Sequence, residues 1–203
     1  MLIGMLAVAA NILAAMFLIP QMVRLIRFRD PAGVSATWAA FGVITNLIWV
    51  LYLGSLGIWA GVPAPAMALG TYGVMLAVLV GLGGFNPWWR SSLGYIISII
   101  AVWQFGGFPA IGLLLALSPA LQILPELVEV YQQRSPSGLS PVTWVLGTCE
   151  AVLWGAFGWL VGEAAMVGYG VVTSVGSLLI LGRWWATRNR TAGTFERYRV
   201  APA

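Results

Sequence analysis

Long apolar stretches separated by short polar connections dominate the chain. Seven such stretches lie at residues 3–27, 36–56, 64–83, 89–106, 109–131, 140–160 and 165–186. A helix that rises about 1.5 Å per residue needs about 20 apolar residues to cross about 30 Å of hydrocarbon. The pattern therefore predicts seven transmembrane helices. The residues after 186 are polar and lack hydrophobic periodicity, which predicts a disordered tail over 187–203.

Composition agrees with a membrane protein and excludes several kinds of chemistry. Of the 203 residues, 60% are hydrophobic and 8% are charged, whereas soluble domains have about 45–50% and about 25%. The chain has no histidine and one cysteine, Cys149, which removes histidine-based catalysis, histidine metal sites and internal disulfides. We therefore expect neither an enzyme nor a cofactor.

The positive charge is spread along an apolar chain rather than gathered on one face. This distribution argues against nucleic acid as a partner, although the net charge is +4. The expected partners are the lipid bilayer and a small-molecule substrate, and the sequence leaves a homo-oligomer open.

The arginines predict how the chain is oriented. They lie near or after the ends of predicted spans one, three, five and seven, so all ten fall on one side of the membrane. Because cytoplasmic loops collect basic residues, the N-terminus is expected outside and the C-terminus in the cytoplasm. Arginine without lysine, together with abundant alanine and glycine, is typical of high-GC bacterial genomes. The multi-pass protein is therefore expected in the cell inner (plasma) membrane.

The chain contains an internal repeat with an offset of 105 residues. Over positions 20–49 the identical pairs are Pro20 and Pro125, Val23 and Val128, Arg29 and Arg134, Pro31 and Pro136, Gly33 and Gly138, Ser35 and Ser140, Gly42 and Gly147, and Trp49 and Trp154. The predicted organisation is a first three-helix repeat at 1–86, a linker helix at 87–107 and a second three-helix repeat at 108–186. Parallel repeats of this kind suit a central pathway that closes alternately at each end.

Two short motifs resemble those of a known family. Pro20-Gln21 followed by RFRDPAGVS, and Pro125-Glu126 followed by QQRSPSGLS, resemble the paired motifs of the SWEET and PQ-loop transporter superfamily. The resemblance implies an all-α membrane fold with three, one and three helices, and a small-solute transporter that works by alternating access. It favours a sugar facilitator. A proline inside an apolar helix removes one backbone hydrogen bond, so both prolines are also candidate hinges.

The resemblance also predicts a substrate pocket. In the family an aromatic or polar residue on the second helix of each repeat lines it, and Trp49 and Trp154 match those positions. The family's third-helix asparagines are replaced here by glycine, threonine and tyrosine. The other candidate binding residues are Asn46, Gly70, Thr71, Tyr72, Tyr169, Gly170 and Thr173. Packing of the tryptophans, and close helix contact at the glycines, are the alternatives.

Glu150 stands out among the ionisable residues because it lies within the apolar stretch WVLGTCEAVLWGAF. An unpaired charge there costs several kcal/mol, so the carboxyl group should be neutral, hydrated or paired. One interpretation is a proton-coupled PQ-loop carrier of an amino-acid-like or vitamin-like solute. Another is a protonated glutamic acid bonded to a backbone carbonyl. A receptor that binds a ligand without transporting it is a further alternative.

A second polar group is predicted near the cytoplasmic mouth. Arg24 follows Gln21 by about one turn, and the 105-residue offset relates Arg24 to Glu129. Such a pair could close the mouth as an ion pair, or each side chain could extend to the lipid headgroups. The full set of candidate gate and hinge residues is Pro20, Gln21, Arg24, Pro125, Glu126, Glu129 and Pro141.

Overall fold

The computed structural model describes the backbone of residues 1–29, 36–82, 88–132 and 141–199. Side chains are described for the same ranges except at positions 20, 21, 24, 28, 125, 126, 128, 129, 132 and 188–199. Within these ranges every regular element is a helix. The elements are α1 (Leu2–Phe28), α2 (Ala36–Ser55), a 3₁₀ turn (Trp59–Gly61), α3 (Pro63–Gly81), α4 (Trp88–Gln132), α5 (Pro141–Val161) and α6 (Ala164–Arg199).

The six long helices are each long and apolar enough to cross a membrane. Many large hydrophobic side chains lie on the outer surface, including Ile97, Leu113 and Trp159. Backbone groups inside hydrocarbon must find their hydrogen-bond partners within the protein, and the described helices meet that requirement. The structure is therefore that of an all-α protein compatible with multi-pass insertion.

The fourth long helix, α4, occupies the stretch in which the sequence predicts two separate spans. Its 45 residues would extend about 67 Å if straight, roughly twice the thickness of the hydrocarbon core. The backbone departs from helical geometry at Gly107, with φ 65° and ψ −160°. Because the two helical stretches meet at this one glycine with no loop between them, the described chain has six long helices, and the predicted seven are not confirmed.

The other predicted spans coincide with observed helices to within a few residues at most ends. The exception is α6, which starts at Ala164 and continues to Arg199, whereas the sequence ends the last span at 186 and predicts a disordered tail. The backbone is thus helical over most of that tail. Alanine, arginine and glutamate favour helix, and extending an existing helix avoids the cost of nucleation.

Helix packing follows an order that differs from the order along the chain. Among the described residues α3 packs between α1 and α2, and α6 packs between α4 and α5. Contacts of α1 with α5 and of α2 with α4 join these two groups. By contrast the backbones of α1 and α2, and those of α4 and α5, do not approach each other closely within the described ranges. The six helices therefore enclose a central space.

Two buried apolar clusters close parts of this space. The larger one receives side chains from all six long helices and lies where α2 and α5 end; its buried members are Ala7, Ala10, Trp49, Tyr52, Leu53, Ala64, Ile111, Leu115, Trp154, Phe157, Ala165 and Met166. We call this region the closed end. The buried members of the second cluster, among the described residues, all belong to α1, α2 and α3. The two helix groups are thus joined by a shared core at one end.

Candidate functional site

A cavity of about 910 Å³ lies between the two helix groups and is lined by all six long helices. It reaches from the first residues of α2 and α5, at Thr37 and Val142, to Trp49 and Trp154. Val142 is 64% exposed, whereas Tyr52 and Phe157, one turn beyond the tryptophans, are buried in the closed end. The space therefore begins at an accessible end and passes the two tryptophans to reach the closed end, where Gly61, Ala64 and Met166 also line it.

The two tryptophans lie where the cavity meets the closed end. Trp49 is 7% and Trp154 is 4% exposed, and both line the cavity. The ring of Trp49 makes an edge contact with Tyr169, with centroids 5.9 Å apart and planes at 85°. Trp154 makes a similar contact with Phe157 at 5.6 Å. The Trp49–Tyr169 contact joins α2 of the first helix group to α6 of the second.

Glu150 lies on the cavity wall one turn before Trp154, and it is 8% exposed. The hydroxyl of Tyr169 donates to its carboxyl group, at 3.3 Å from Oε1 and 3.2 Å from Oε2. Of the described residues that line the cavity, Glu150 is the one with an acidic or basic side chain. This position can hold a proton or the positive charge of a ligand.

Further polar groups line the same wall and the opposite one. Thr173 is buried on the cavity wall, and its hydroxyl lies near that of Tyr169. On the opposite wall the ring of Tyr72 contacts Trp38 edge-on at 4.9 Å. A Cβ atom on Gly42 would lie 2.5 Å from the Tyr72 ring, so this glycine lets the ring approach α2. Asn46 lines the cavity but donates to the carbonyl of Gly42 on its own helix at 2.8 Å.

Three predicted binding residues lie outside the cavity lining. Gly70 is exposed, with no neighbouring atom within 4 Å of an added Cβ. The hydroxyl of Thr71 donates to the carbonyl of Met67 on its own helix at 2.9 Å. At Gly170 an added Cβ would lie 2.6 Å from the Cα atom of Gly155, so this glycine lets α5 and α6 touch.

The predicted gate and hinge residues fall mainly outside the described side chains. Pro20, Gln21 and Arg24 lie within helical backbone of α1, and Pro125, Glu126 and Glu129 lie within that of α4, but their side chains are not among those described. Pro141 is the first residue of α5 and is half-buried.

Sequence reasoning missed a polar bridge at the closed end. The hydroxyl of Tyr52, on α2, donates to Oε1 of Glu163 at 3.0 Å. The same oxygen accepts the backbone N–H of Ala165 at 3.0 Å, which caps the start of α6. The Tyr52 ring also stacks on Phe108 at 4.7 Å, with planes 15° apart. Tyr52 and Glu163 are 111 residues apart, so no local sequence pattern signals this bond.

Other residues of the cavity wall were also missed, although the 105-residue offset could have identified one of them. Thr45 corresponds to Glu150 under this offset, lines the cavity, and shares a 2.9 Å hydrogen bond with the hydroxyl of Tyr95. Further polar residues of the lining are Thr37, Ser118, Gln122, Thr143 and Ser177.

Comparison with models of known protein families and with curated proteins finds no match to this chain. The interpretation of the cavity therefore rests on its own residues.

Proposed function

We propose that the chain is a small-solute membrane transporter that works by alternating access, with its solute bound between two three-helix repeats. The observation that carries this proposal is the cavity, which lies between the two helix groups and stops at a shared core. A pathway open at one end and closed at the other is the arrangement that a rocking motion of the two groups would invert.

Three observations support two repeats joined by a linker, as the resemblance to the SWEET and PQ-loop superfamily implies. The break at Gly107 falls between the expected linker and the expected start of the second repeat. The third helix of each expected repeat packs between the other two. Finally, α2 begins at Ala36 and α5 at Pro141, which preserves the 105-residue offset.

The one-sided arginines support an orientation with the N-terminus outside and the accessible end of the cavity toward the cytoplasm. This orientation can be tested by single cysteines introduced into a Cys149→Ala background. Exposed positions Arg90 and Gly57 should react with an impermeant thiol reagent from inside and from outside, respectively. Reaction of both positions from the same side would contradict the arrangement of three, one and three helices.

Transport itself can be tested in proteoliposomes with a panel of sugars, amino acids and vitamins, with and without a pH gradient. Trp154→Ala should abolish uptake, because it removes a ring that lines the cavity where it meets the closed end. Trp154→Phe, which keeps an aromatic ring, should retain part of it. Trp159→Ala is the matched control, since Trp159 lies on the same helix and is 77% exposed. Equal loss in Trp154→Ala and Trp159→Ala would contradict the assignment of the cavity as the binding site.

A sugar facilitator and a proton-coupled carrier are the two variants of this proposal. The resemblance favours the first, while the buried carboxyl group of Glu150 in the cavity wall favours the second. Glu150→Gln is nearly isosteric and permanently neutral. A proton-coupled carrier should lose gradient-driven uptake in this variant and keep solute exchange. If the protein is a facilitator, Glu150→Gln should show normal uptake and normal exchange. That result would show that Glu150 does not couple transport to protons.

A further inference from the structure

The two walls of the cavity differ in chemistry. The wall formed by α1, α2 and α3 contributes most of the aromatic rings of the lining, beside the polar side chains of Thr37, Thr45 and Asn46. These rings belong to Phe17, Trp38, Phe41, Trp49 and Tyr72. The wall formed by α4, α5 and α6 contains the carboxyl group of Glu150 and most of the hydroxyl and amide groups. Those polar residues are Ser118, Gln122, Thr143, Tyr169, Thr173 and Ser177. A solute that fills this space meets aromatic rings on one side and an acid with hydroxyl groups on the other.

The charge of the cavity is unbalanced among the described residues. Glu150 is nine-tenths buried, and no arginine is among the described residues that line the space around it. The hydroxyl of Tyr169 and the indole N–H of Trp154 both donate to this carboxyl group, whereas an ionised carboxylate offers about four acceptor positions. A buried carboxylate in a membrane protein requires a positive partner or a proton.

We propose that the solute is a small organic ammonium cation without a carboxylate group, which pairs with Glu150 in place of a proton. This proposal rests on the proposed function, because it assigns the ligand of the same cavity. Aromatic faces attract ammonium and quaternary ammonium groups, so the aromatic wall favours the same charge as Glu150. A zwitterion such as an amino acid would leave its carboxylate facing a wall without a described basic side chain.

A proton and the ammonium group compete for the same carboxylate. When the cation arrives, the proton leaves Glu150 for water in the cavity, and the site stays neutral overall. Among the side chains that the structure describes, the titratable groups that face Glu150 are the hydroxyls of Tyr169 on α6 and Tyr72 on α3. The described cavity residues of α1 are Ala14, Met16, Phe17 and Leu18, and none of them is titratable. Exchange of a proton for the cation therefore centres on Glu150.

Binding to the purified protein in lipid nanodiscs tests this assignment with matched pairs of probes. Choline is compared with its uncharged carbon analogue 3,3-dimethylbutan-1-ol, and 2-phenylethylammonium is compared with 2-phenylethanol. Quenching of tryptophan fluorescence reports binding, because Trp38, Trp49 and Trp154 line the cavity. At least one cation should bind more tightly than its neutral analogue. Glu150→Gln should lower the affinity for that cation by about tenfold or more. Binding of the neutral analogues should not change.

Two further variants separate loss of charge from loss of structure. Glu150→Asp keeps the negative charge and should retain more cation binding than Glu150→Gln. Cys149→Ser is the control, because Cys149 neighbours Glu150 but is exposed and outside the cavity lining, and this substitution should leave cation binding unchanged. Equal binding of both cations by Glu150→Gln and the parent, or no preference for either cation over its neutral analogue, would overturn the proposal.

Uptake measured in proteoliposomes from the same preparation separates this proposal from the proposed function. Uptake of a neutral solute without Glu150-dependent cation binding would support the proposed transporter and contradict the proposed cationic ligand. Glu150-dependent binding of choline without transport of any solute would support the proposed cationic ligand and contradict the proposed transporter.

Discussion

The bond between Tyr52 and Glu163 gives the sharpest test of alternating access, because it spans the two helix groups at the closed end. Tyr52→Phe removes only the hydroxyl that donates to Glu163 at 3.0 Å. The ring can keep its stacking on Phe108 and its edge contact with Trp49. Glu163 also keeps the N–H of Ala165, so the start of α6 remains capped. The substitution thus isolates one bond that must break if this end opens.

The size of the effect follows from the type of bond. A hydrogen bond to a charged acceptor contributes about 1.5–3 kcal/mol. At about 1.4 kcal/mol per factor of ten, its loss should raise the population open at this end by about tenfold or more.

The assay is the rate at which a cysteine near the closed end reacts with an impermeant reagent added from that side. Gly61 suits this purpose because it is buried and lines the cavity, and a cysteine there is combined with Cys149→Ala. Tyr52→Phe should accelerate the reaction by about tenfold. Tyr95→Phe is the matched control, since its hydroxyl bonds to Thr45 instead. An unchanged rate in Tyr52→Phe, or equal acceleration in Tyr95→Phe, would refute the reasoning.

Two further predictions concern glycines and use chemical unfolding in detergent as the measurement. Gly170→Ala should be about 1–3 kcal/mol less stable than Gly70→Ala, because its methyl group would overlap α5 whereas that of Gly70→Ala meets no atom within 4 Å. Similar stabilities would show that α5 and α6 are not in close contact. Gly107→Ala should be destabilised by about 1–3 kcal/mol, because its backbone conformation is essentially restricted to glycine. Gly94→Ala, on the same helix with open space around it, should be neutral or slightly stabilising.

The sequence by itself determined where the helices lie. Runs of apolar residues of membrane-spanning length are recognisable without any tertiary information, and most observed helix ends fall within a few residues of those predicted. The GGFP segment also indicated a break in α4. The sequence did not show that this break is a single glycine, Gly107, with a helix directly on each side. Trp49, Trp154 and Glu150 were recognisable as candidates because two are related by the repeat and the third is an acid in an apolar segment. The structure places all three in the cavity wall.

The tertiary structure decided which faces of the helices meet. Gly70 and Gly170 were equivalent candidates in sequence, yet one is exposed and the other touches a neighbouring helix. The bond between Tyr52 and Glu163 depends on helices that are distant along the chain. In a soluble protein an apolar face marks the side that packs inward. In a bilayer the lipid tails are as apolar as the core, so hydropathy does not distinguish a lipid-facing side chain from a packed one. The rotation of each helix, and with it the lining of the cavity, is therefore fixed by contacts between helices.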